Sequence, residues 1–212
     1  MKESAGKARA GVELGRFFVL EGIDGSGKSL AAMNICKELR RAGRKCAPTR
    51  EPTDGFFGTA ARTALGRRGL KLSSSSMQLL FTLDRSLHDE EFIRPSLARG
   101  KDVVSDRYYW STAAYAGALS LPVKEFLALN RRLFTRPDIS ILLRVEPHIA
   151  LQRIGLDGRK NEIYEHEEML KRVASTYNDL VRRYQREWLV VDASKTAPQV
   201  LSEIMSVVKE RL

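Results

Sequence analysis

Short runs of apolar residues alternate along the chain with longer segments in which apolar residues recur every three or four positions. The continuous runs are typical of strands buried on both faces, and the periodic segments are typical of amphipathic helices. Because strands that alternate with helices form βαβ units, this pattern predicts a mainly parallel sheet with helices on both faces. The predicted strands are residues 17–21, 45–50, 103–105, 139–145 and 188–191.

The predicted helices lie between these strands and are bounded by turn and capping residues. Gly43 ends the first helix, one serine of the run at residues 73–76 caps the next long helix, and Pro147 begins another. Residues 53–76 are expected to form a short helix and loop. The first helix extends to about residue 42, and the later predictions are helices at residues 77–99, 123–133, 162–186 and 198–212.

Length and composition indicate one soluble globular domain. The chain has 212 residues, of which 43% are hydrophobic and 29% charged, values close to the average for such domains. We expect residues 1–16, which mix small residues with both charge signs, to be a mobile tail and residues 17–212 to be the domain. Neither a secretory signal nor an apolar run of membrane-spanning length is present, so we expect a cytoplasmic protein without a membrane partner.

The chain is basic, with 36 Lys and Arg against 26 Asp and Glu, a formal net charge of +10. This excess favours anionic partners. Because the basic residues are dispersed and no aromatic stripe accompanies them, a nucleic-acid groove is not predicted. The two cysteines, Cys36 and Cys46, lack metal-ligand spacing, and we predict two small buried residues in a reducing compartment rather than a disulfide framework.

The clearest chemical motif is GIDGSGKS at residues 22–29, a full match to GxxxxGK[ST] between an apolar strand and an amphipathic helix. Its glycines allow backbone N–H groups to converge on phosphate oxygens at a helix N-terminus. Lys28 is expected to hold the β- and γ-phosphates of ATP, and the Ser29 hydroxyl to ligate Mg²⁺. A Gly-rich turn that carries Lys-Ser by chance is the alternative, which the strand and helix context disfavours.

A second acidic residue ends the predicted strand at residues 103–105. Asp106 is followed by Arg107, whereas ATPases that activate water usually have a carboxylate next to the magnesium-binding aspartate. An arginine suits a second phosphate group better than a lytic water. The pair therefore favours phosphoryl transfer to a bound acceptor over hydrolysis, with a surface Asp-Arg pair as the alternative.

Four segments give the chain a resemblance to thymidylate kinases, and their order and spacing agree from about residue 17 onwards. The resemblance implies a three-layer α/β P-loop kinase fold with a five-stranded parallel sheet, flanking helices and a short LID. It also implies ATP and Mg²⁺ as cofactors and direct phosphorylation of dTMP to dTDP in dTTP biosynthesis. The segments are FFVLEGIDGSGKS at 17–29, TREP at 49–52, LLFTLDR at 79–85 and DRYYWSTAAY at 106–115, with weaker matches at 136–145, 150–153 and 190–194.

The resemblance further implies which residues bind the acceptor. Arg50 and Arg107 would hold its phosphate, Phe81 would stack on the base and Arg85 would reach the base edge. Tyr115 would crowd the 2′ position and so select deoxyribose. The full acceptor set is Asp24, Arg50, Phe81, Arg85, Arg107, Ser111, Thr112 and Tyr115.

The same resemblance places ATP on the P-loop and under a LID at about residues 153–165. Position 25 is Gly, so the P-loop offers no second cation, and Arg159 is expected to meet the charge on the transferring group. Lys160, or a merely solvated Arg159, is the alternative. The ATP set is Gly22, Asp24, Gly25, Ser26, Gly27, Lys28, Ser29 and Arg153, the metal set Ser29 and Asp106, and the catalytic set Lys28, Asp106, Arg107 and Arg159.

Three other functions compete with this interpretation. The same chemistry could act on dUMP or a deoxynucleoside, and a shortened LID could belong to a nucleotide-binding switch that has lost turnover. A nucleic-acid-binding ATPase would draw on the charge of +10 and should respond to DNA or RNA. The partners that we expect are dTMP, ATP and a second copy in a homodimer, without nucleic acid.

Overall fold

Five parallel strands form one sheet in the order β2-β3-β1-β4-β5. The computed structural model describes residues 14–66, 71–156 and 167–210. The predicted α/β fold with a five-stranded parallel sheet is confirmed, and each predicted strand is found within two residues of its expected ends. The strands are β1 Phe17–Glu21, β2 Cys46–Arg50, β3 Asp102–Asp106, β4 Ile139–Arg144 and β5 Trp188–Asp192.

The central strand β1 positions the site, because it lies between β3 and β4. All five of its residues are buried, as its continuous apolar run predicts. Leu20 of β1 is in register with Asp106 of β3 on one side and with Ile141 of β4 on the other. The turns that follow β1 and β3 therefore meet at the carboxyl edge of the sheet, where open α/β folds bind their ligands.

The helices form two groups, and α1, α4 and α9 contact the sheet directly. Helices α1 and α9 contact each other, and α5 packs against α3, α6 and α8. None of the helices in the described segments combines the length and apolar character needed to cross a bilayer. The helices are α1 Lys28–Arg41, α2 Phe56–Leu65, α3 Ser74–His88, α4 Arg94–Ala98, α5 Tyr109–Ala118, α6 Val123–Leu133, α7 Pro147–Leu156, α8 Glu167–Arg183 and α9 Ala197–Glu210.

The segment predicted as one regular helix at residues 77–99 is interrupted. Its start is capped by Ser73, whose Oγ accepts from the Ser76 N–H at 3.1 Å, and α3 ends at His88. A π-helical turn, Asp89–Ile93, then separates α3 from α4. The Asp89 carboxylate is buried and accepts from Arg94 Nε at 2.7 Å and from Tyr108 Oη at 3.3 Å. The bond from Tyr108 is a tertiary contact at the widened turn, which the periodicity of the sequence does not report.

Two further expectations are corrected. Gly15 N–H donates to Leu97 O at 2.9 Å and Arg16 N–H donates to Asp102 Oδ1 at 2.8 Å, so the last residues of the expected tail belong to the domain. Cys36 and Cys46 form a disulfide, with Cα atoms 5.4 Å apart, because α1 packs on β2 and brings them together. Both cysteines are buried, as predicted. Residues 1–13 lie outside the described residues.

Candidate active site

The P-loop at residues 22–29 connects β1 to α1 at the carboxyl edge of the sheet. Gly22 and Gly25 have φ angles of 142° and 80°, which only glycine adopts readily. A Cβ at Gly25 would lie 2.3 Å from Ala150 O, so a side chain there would also clash. No side chain among the described residues caps the N-terminus of α1, which leaves its first N–H groups suited to an anion.

The side chain of Lys28 folds back over this loop. Its Nζ donates to Ile23 O at 2.7 Å and to Ser26 Oγ at 3.3 Å. Burial lowers the pKa of Lys28 to about 8, with a further contribution from the nearby charge of Arg107. A lysine whose charge is poorly compensated in this way is suited to a phosphate group, which would supply the missing negative charge.

Ser29 and Asp106 form the part of the site that suits a metal ion. Ser29 Oγ donates to Asp106 Oδ2 at 2.5 Å, and the buried Asp106 Oδ1 has no hydrogen-bond partner within the described segments. Within those segments, no group of three or more His, Cys, Asp or Glu side chains could hold a metal. Two oxygen donors, one of them unpartnered, fit Mg²⁺, which takes its remaining ligands from phosphates and water.

Asp24 and Arg107 form an ion pair that joins the P-loop to the turn after β3. Arg107 Nη1 also donates to Ser111 Oγ at 3.1 Å, and Tyr115 Oη donates to Asp24 Oδ2 at 3.2 Å. Burial would raise the pKa of Asp24, but Arg107 and Lys28 outweigh it and hold this pKa low. The carboxylate therefore stays ionised beside a charged guanidinium.

A pocket opens on the other side of this ion pair, between the turn after β2 and helices α3 and α5. It contains every predicted acceptor residue except Arg50. Phe81 and Arg85 lie one helical turn apart on its α3 wall, and their common face agrees with the spacing in the sequence. The lining residues are Asp24, Glu51, Pro52, Leu65, Gln78, Phe81, Arg85, Arg107, Ser111, Thr112 and Tyr115.

Comparison with known proteins supports the family resemblance that the sequence motifs indicate. The family model described as Thymidylate kinase matches residues 20–204. The chain is 34% identical over 203 residues to "Probable thymidylate kinase" of Thermococcus onnurineus (strain NA1), covering 92% of this chain and 98% of the relative. It is 36% identical over 196 residues to "Thymidylate kinase" of Xanthomonas oryzae pv. oryzae (strain PXO99A), covering 92% of this chain and 83% of the relative.

The chain belongs to the thymidylate kinase family. A third relative, "Probable thymidylate kinase" of Pyrococcus horikoshii (strain ATCC 700860 / DSM 12428 / JCM 9974 / NBRC 100139 / OT-3), is 34% identical over 202 residues, 93% of this chain and 98% of the relative. The resemblance drawn from the motifs is therefore confirmed over nearly the whole chain, and the P-loop is that of a phosphotransferase.

In this thymidylate kinase family member, Arg85 is fixed by Thr112, which the sequence predicted, and by Glu51 and Asn130, which it did not single out. Its Nε and Nη2 donate to Glu51 Oε2 at 2.9 and 2.7 Å, and its Nη1 donates to Thr112 Oγ1 at 3.0 Å and to Asn130 Oδ1 at 2.6 Å. His88 Nδ1 lies 2.9 Å from Glu51 Oε1. A guanidinium has five N–H donors, so this arrangement leaves one of them on Nη2.

Glu21 is a further buried site residue that sequence reasoning missed. It ends the apolar strand β1, is fully buried, and accepts from Tyr108 N–H at 2.9 Å, Ser111 Oγ at 2.6 Å and Tyr177 Oη at 2.8 Å. Burial raises the pKa of Glu21. Because Ser111 also contacts Arg107, Glu21 anchors the side of the ion pair that faces α5. The sequence signal that could have identified Glu21 is a charged residue at the end of an otherwise apolar, buried strand.

Of the predicted acceptor residues, Arg50 lies outside the acceptor pocket, and Arg153 of the predicted ATP set lines a separate cavity. Arg50 lies with Ser29 and Asp106 along a neighbouring groove, where its Nη2 donates to Asp54 Oδ1 at 2.9 Å and both side chains are exposed. Arg153 on α7 lines a cavity with Ser26 and other residues of the P-loop, α1 and α9, across the P-loop from the acceptor pocket. Arg159, Lys160 and most of the expected LID lie outside the residues that the structure describes.

Proposed function

We propose that this protein transfers the γ-phosphoryl group of ATP to dTMP and so forms ADP and dTDP, a step towards dTTP. The observation that carries the proposal is the Asp24–Arg107 pair. Asp24 belongs to the P-loop and Arg107 to the turn after β3, and both side chains line the acceptor pocket. Donor and acceptor phosphates bound on the two sides of this pair would meet end to end, as in-line transfer requires.

On the donor side, Lys28 and the N–H groups at the start of α1 would hold the phosphates of ATP. Arg153 lines the cavity beyond the P-loop, where it would pack on the adenine. Ser29 and Asp106 would hold Mg²⁺, which neutralises charge on the donor phosphates when it is bound. The acceptor phosphate is already a nucleophile, so catalysis is positioning and charge stabilisation rather than general base catalysis.

On the acceptor side, Phe81 would stack on the thymine, and the remaining Arg85 N–H would donate to a carbonyl of the base. Tyr115 and Asp24 would flank the sugar, and Arg107 would hold the phosphate. Arg50 joins this set if it leaves Asp54. That exchange costs little, because an exposed ion pair contributes little to stability.

Arg159 would complete the site from the LID. Gly25 leaves the P-loop with Lys28 as its one basic side chain, so a further cation has to reach the transferring phosphoryl group from elsewhere. An arginine that acts only in the transition state is worth about 10³–10⁵ in rate in phosphoryl transfer. We therefore assign Arg159 the stabilisation of that group.

We also propose that the protein is a cytoplasmic homodimer, with helix α3 in the interface. Leu79, Leu83 and Leu87 recur every four residues on α3 and are 49%, 48% and 37% exposed, so they form an apolar stripe on one helix face. Light scattering at micromolar concentration should give twice the 23.9 kDa mass of the chain. A monomer under these conditions would contradict the assembly.

Product analysis tests the proposed reaction directly. Incubation with ATP, Mg²⁺ and dTMP should yield dTDP and ADP in equal amounts, separated by anion-exchange chromatography. The Lys28→Ala variant should form neither product while keeping the fold, since Lys28 is a buried residue of the P-loop that does not belong to the apolar core. Equal product formation by the variant and the wild type would contradict the assignment of the P-loop.

A further inference from the structure

Gln78 carries a buried amide that nothing in the described part of the chain satisfies. The residue is 0% exposed, and neither its Nε2 nor its Oε1 has a hydrogen-bond partner there. Leaving a buried polar group unpaired costs about 1–3 kcal/mol, so folded proteins rarely keep one. Leucine or methionine at this position would avoid that cost. We therefore expect the amide to have a hydrogen-bond partner in a ligand-bound state of the protein.

The position of Gln78 indicates what this partner is. Gln78 lines the acceptor pocket together with Phe81 and Arg85, which follow it three and seven residues later on α3. Residues with these spacings share one face of a helix. Gln78 and Arg85 are two turns apart, about 10 Å along the axis, and Phe81 lies between them.

The chemistry of an amide complements the base that the pocket would receive. A primary amide offers N–H donors and a carbonyl acceptor in one plane. The edge of thymine presents an N3–H donor between two carbonyl acceptors, so one amide can pair with N3–H and an adjoining carbonyl. The remaining N–H of Arg85, which has donors only, would then serve the other carbonyl.

We propose that Gln78 is a second residue that reads the pyrimidine base, at the opposite end of the pocket from Arg85. This inference rests on the proposed function and deepens it. The cost of the unpaired amide is carried by the free enzyme and removed when the base binds. Such a group therefore strengthens recognition of a base that can offer a donor and an acceptor, because a base that cannot would leave the amide unpaired.

Two substitutions separate this role from a role in packing. Gln78→Met removes both polar atoms at similar volume, whereas Gln78→Glu keeps an acceptor, loses the donor and adds a charge. Gln185→Met is the control, because Gln185 is exposed and lies outside the pocket. For each protein, steady-state kinetics would give KM for dTMP, dUMP and ATP, and thermal unfolding would be followed with and without dTMP.

Gln78→Met should raise the Tm of the free enzyme by about 2–12 °C, since it removes an unpaired buried polar group. It should also raise KM for dTMP and dUMP by the same factor, about tenfold for one lost hydrogen-bonded pair of about 1.4 kcal/mol, with KM for ATP unchanged. Gln78→Glu should lower the Tm and yet raise KM for dTMP as well. Weak dTMP binding in both variants, despite opposite shifts in Tm, is the signature of a ligand contact.

The inference is overturned if the wild type turns over dTMP and both variants keep its KM for dTMP. It is also overturned if KM for ATP rises as much as KM for dTMP, because that would indicate a general disturbance of the fold. A wild-type protein that forms no dTDP contradicts the proposed function instead. In that case Gln78 is still judged on its own, by whether the variants reduce the rise in Tm that dTMP causes.

Discussion

The ion pair between Glu51 and Arg85 offers a quantitative test of how the acceptor pocket is built. Both side chains are almost fully buried, with 5% and 2% of their surface exposed. The substitution Glu51→Gln keeps the shape of the side chain and one acceptor oxygen. It removes the negative charge, however, so the guanidinium remains in the interior without a counter-ion.

Removing one partner of a buried ion pair typically costs about 3–5 kcal/mol. That is a large share of the roughly 5–15 kcal/mol that stabilises a typical domain. For a chain of this size the corresponding fall in Tm is about 6–20 °C. We also expect KM for dTMP to rise and KM for ATP to stay unchanged, because Arg85 lines the acceptor pocket and its hydrogen bonds go to Glu51, Thr112 and Asn130.

Denaturant and thermal unfolding of the purified protein would measure this change. The matched control is Glu203→Gln, which removes the same charge from an ion pair of similar length. Glu203 Oε2 lies 2.8 Å from Lys195 Nζ, but these side chains are 37% and 43% exposed. An exposed ion pair contributes little to stability, so the control should lose little unfolding free energy. Equal, small losses of unfolding free energy in Glu51→Gln and in the control would refute the reasoning.

Three further predictions concern individual residues of the site. Tyr115→Ala should raise kcat/KM for UMP relative to dTMP, because it relieves crowding at the 2′ position; an unchanged ratio would assign Tyr115 to packing. Arg159→Ala should lower kcat sharply with KM values nearly constant, and a loss confined to ATP affinity would contradict its assignment. The pKa of Lys28 is lowered to about 8, so KM for ATP should rise as pH increases through 8, and calorimetry in two buffers should detect proton uptake on ATP binding above that pH. A flat pH profile would contradict this.

The lowered pKa of Lys28 also predicts how the stability of the fold changes with pH. The pKa of Lys28 falls from 10.5 to about 8 on folding, so the unfolded chain binds more protons between these values. The contribution of Lys28 to stability therefore increases with pH across that window and is unfavourable below it. The Lys28→Ala variant should lose this dependence.

The elements of the fold could be predicted because their causes are local. The apolar runs of β1 and β4 are buried on both faces, and Ser73 caps α3 through a contact three residues away. The π-helical turn and the disulfide could not be predicted in this way. Each depends on which elements pack together, as when α1 places Cys36 next to Cys46 on β2.

The residues of the candidate site also separate into those predicted from local motifs and those that depend on distant partners. The motif residues Lys28 and Arg107 lie where their spacing in the sequence predicts, on turns at one edge of the sheet. Glu21, Glu51 and Asn130 were missed, because a polar residue is assigned to the surface unless its partner is known. Asn130 lies on the buried face of α6, and its Nδ2 donates to Phe126 O at 2.8 Å. This bond orients the side-chain amide so that its Oδ1 accepts from Arg85.

The most direct test of the central claim is the rate of ADP release across a panel of nucleoside monophosphates. Coupled assays with ATP and Mg²⁺ would compare dTMP with dUMP, dCMP, UMP and AMP, and with no acceptor. We predict the highest kcat/KM for dTMP and almost no ADP release without an acceptor. ADP release that does not depend on dTMP, or a clear preference for another nucleotide in the panel, would contradict the account.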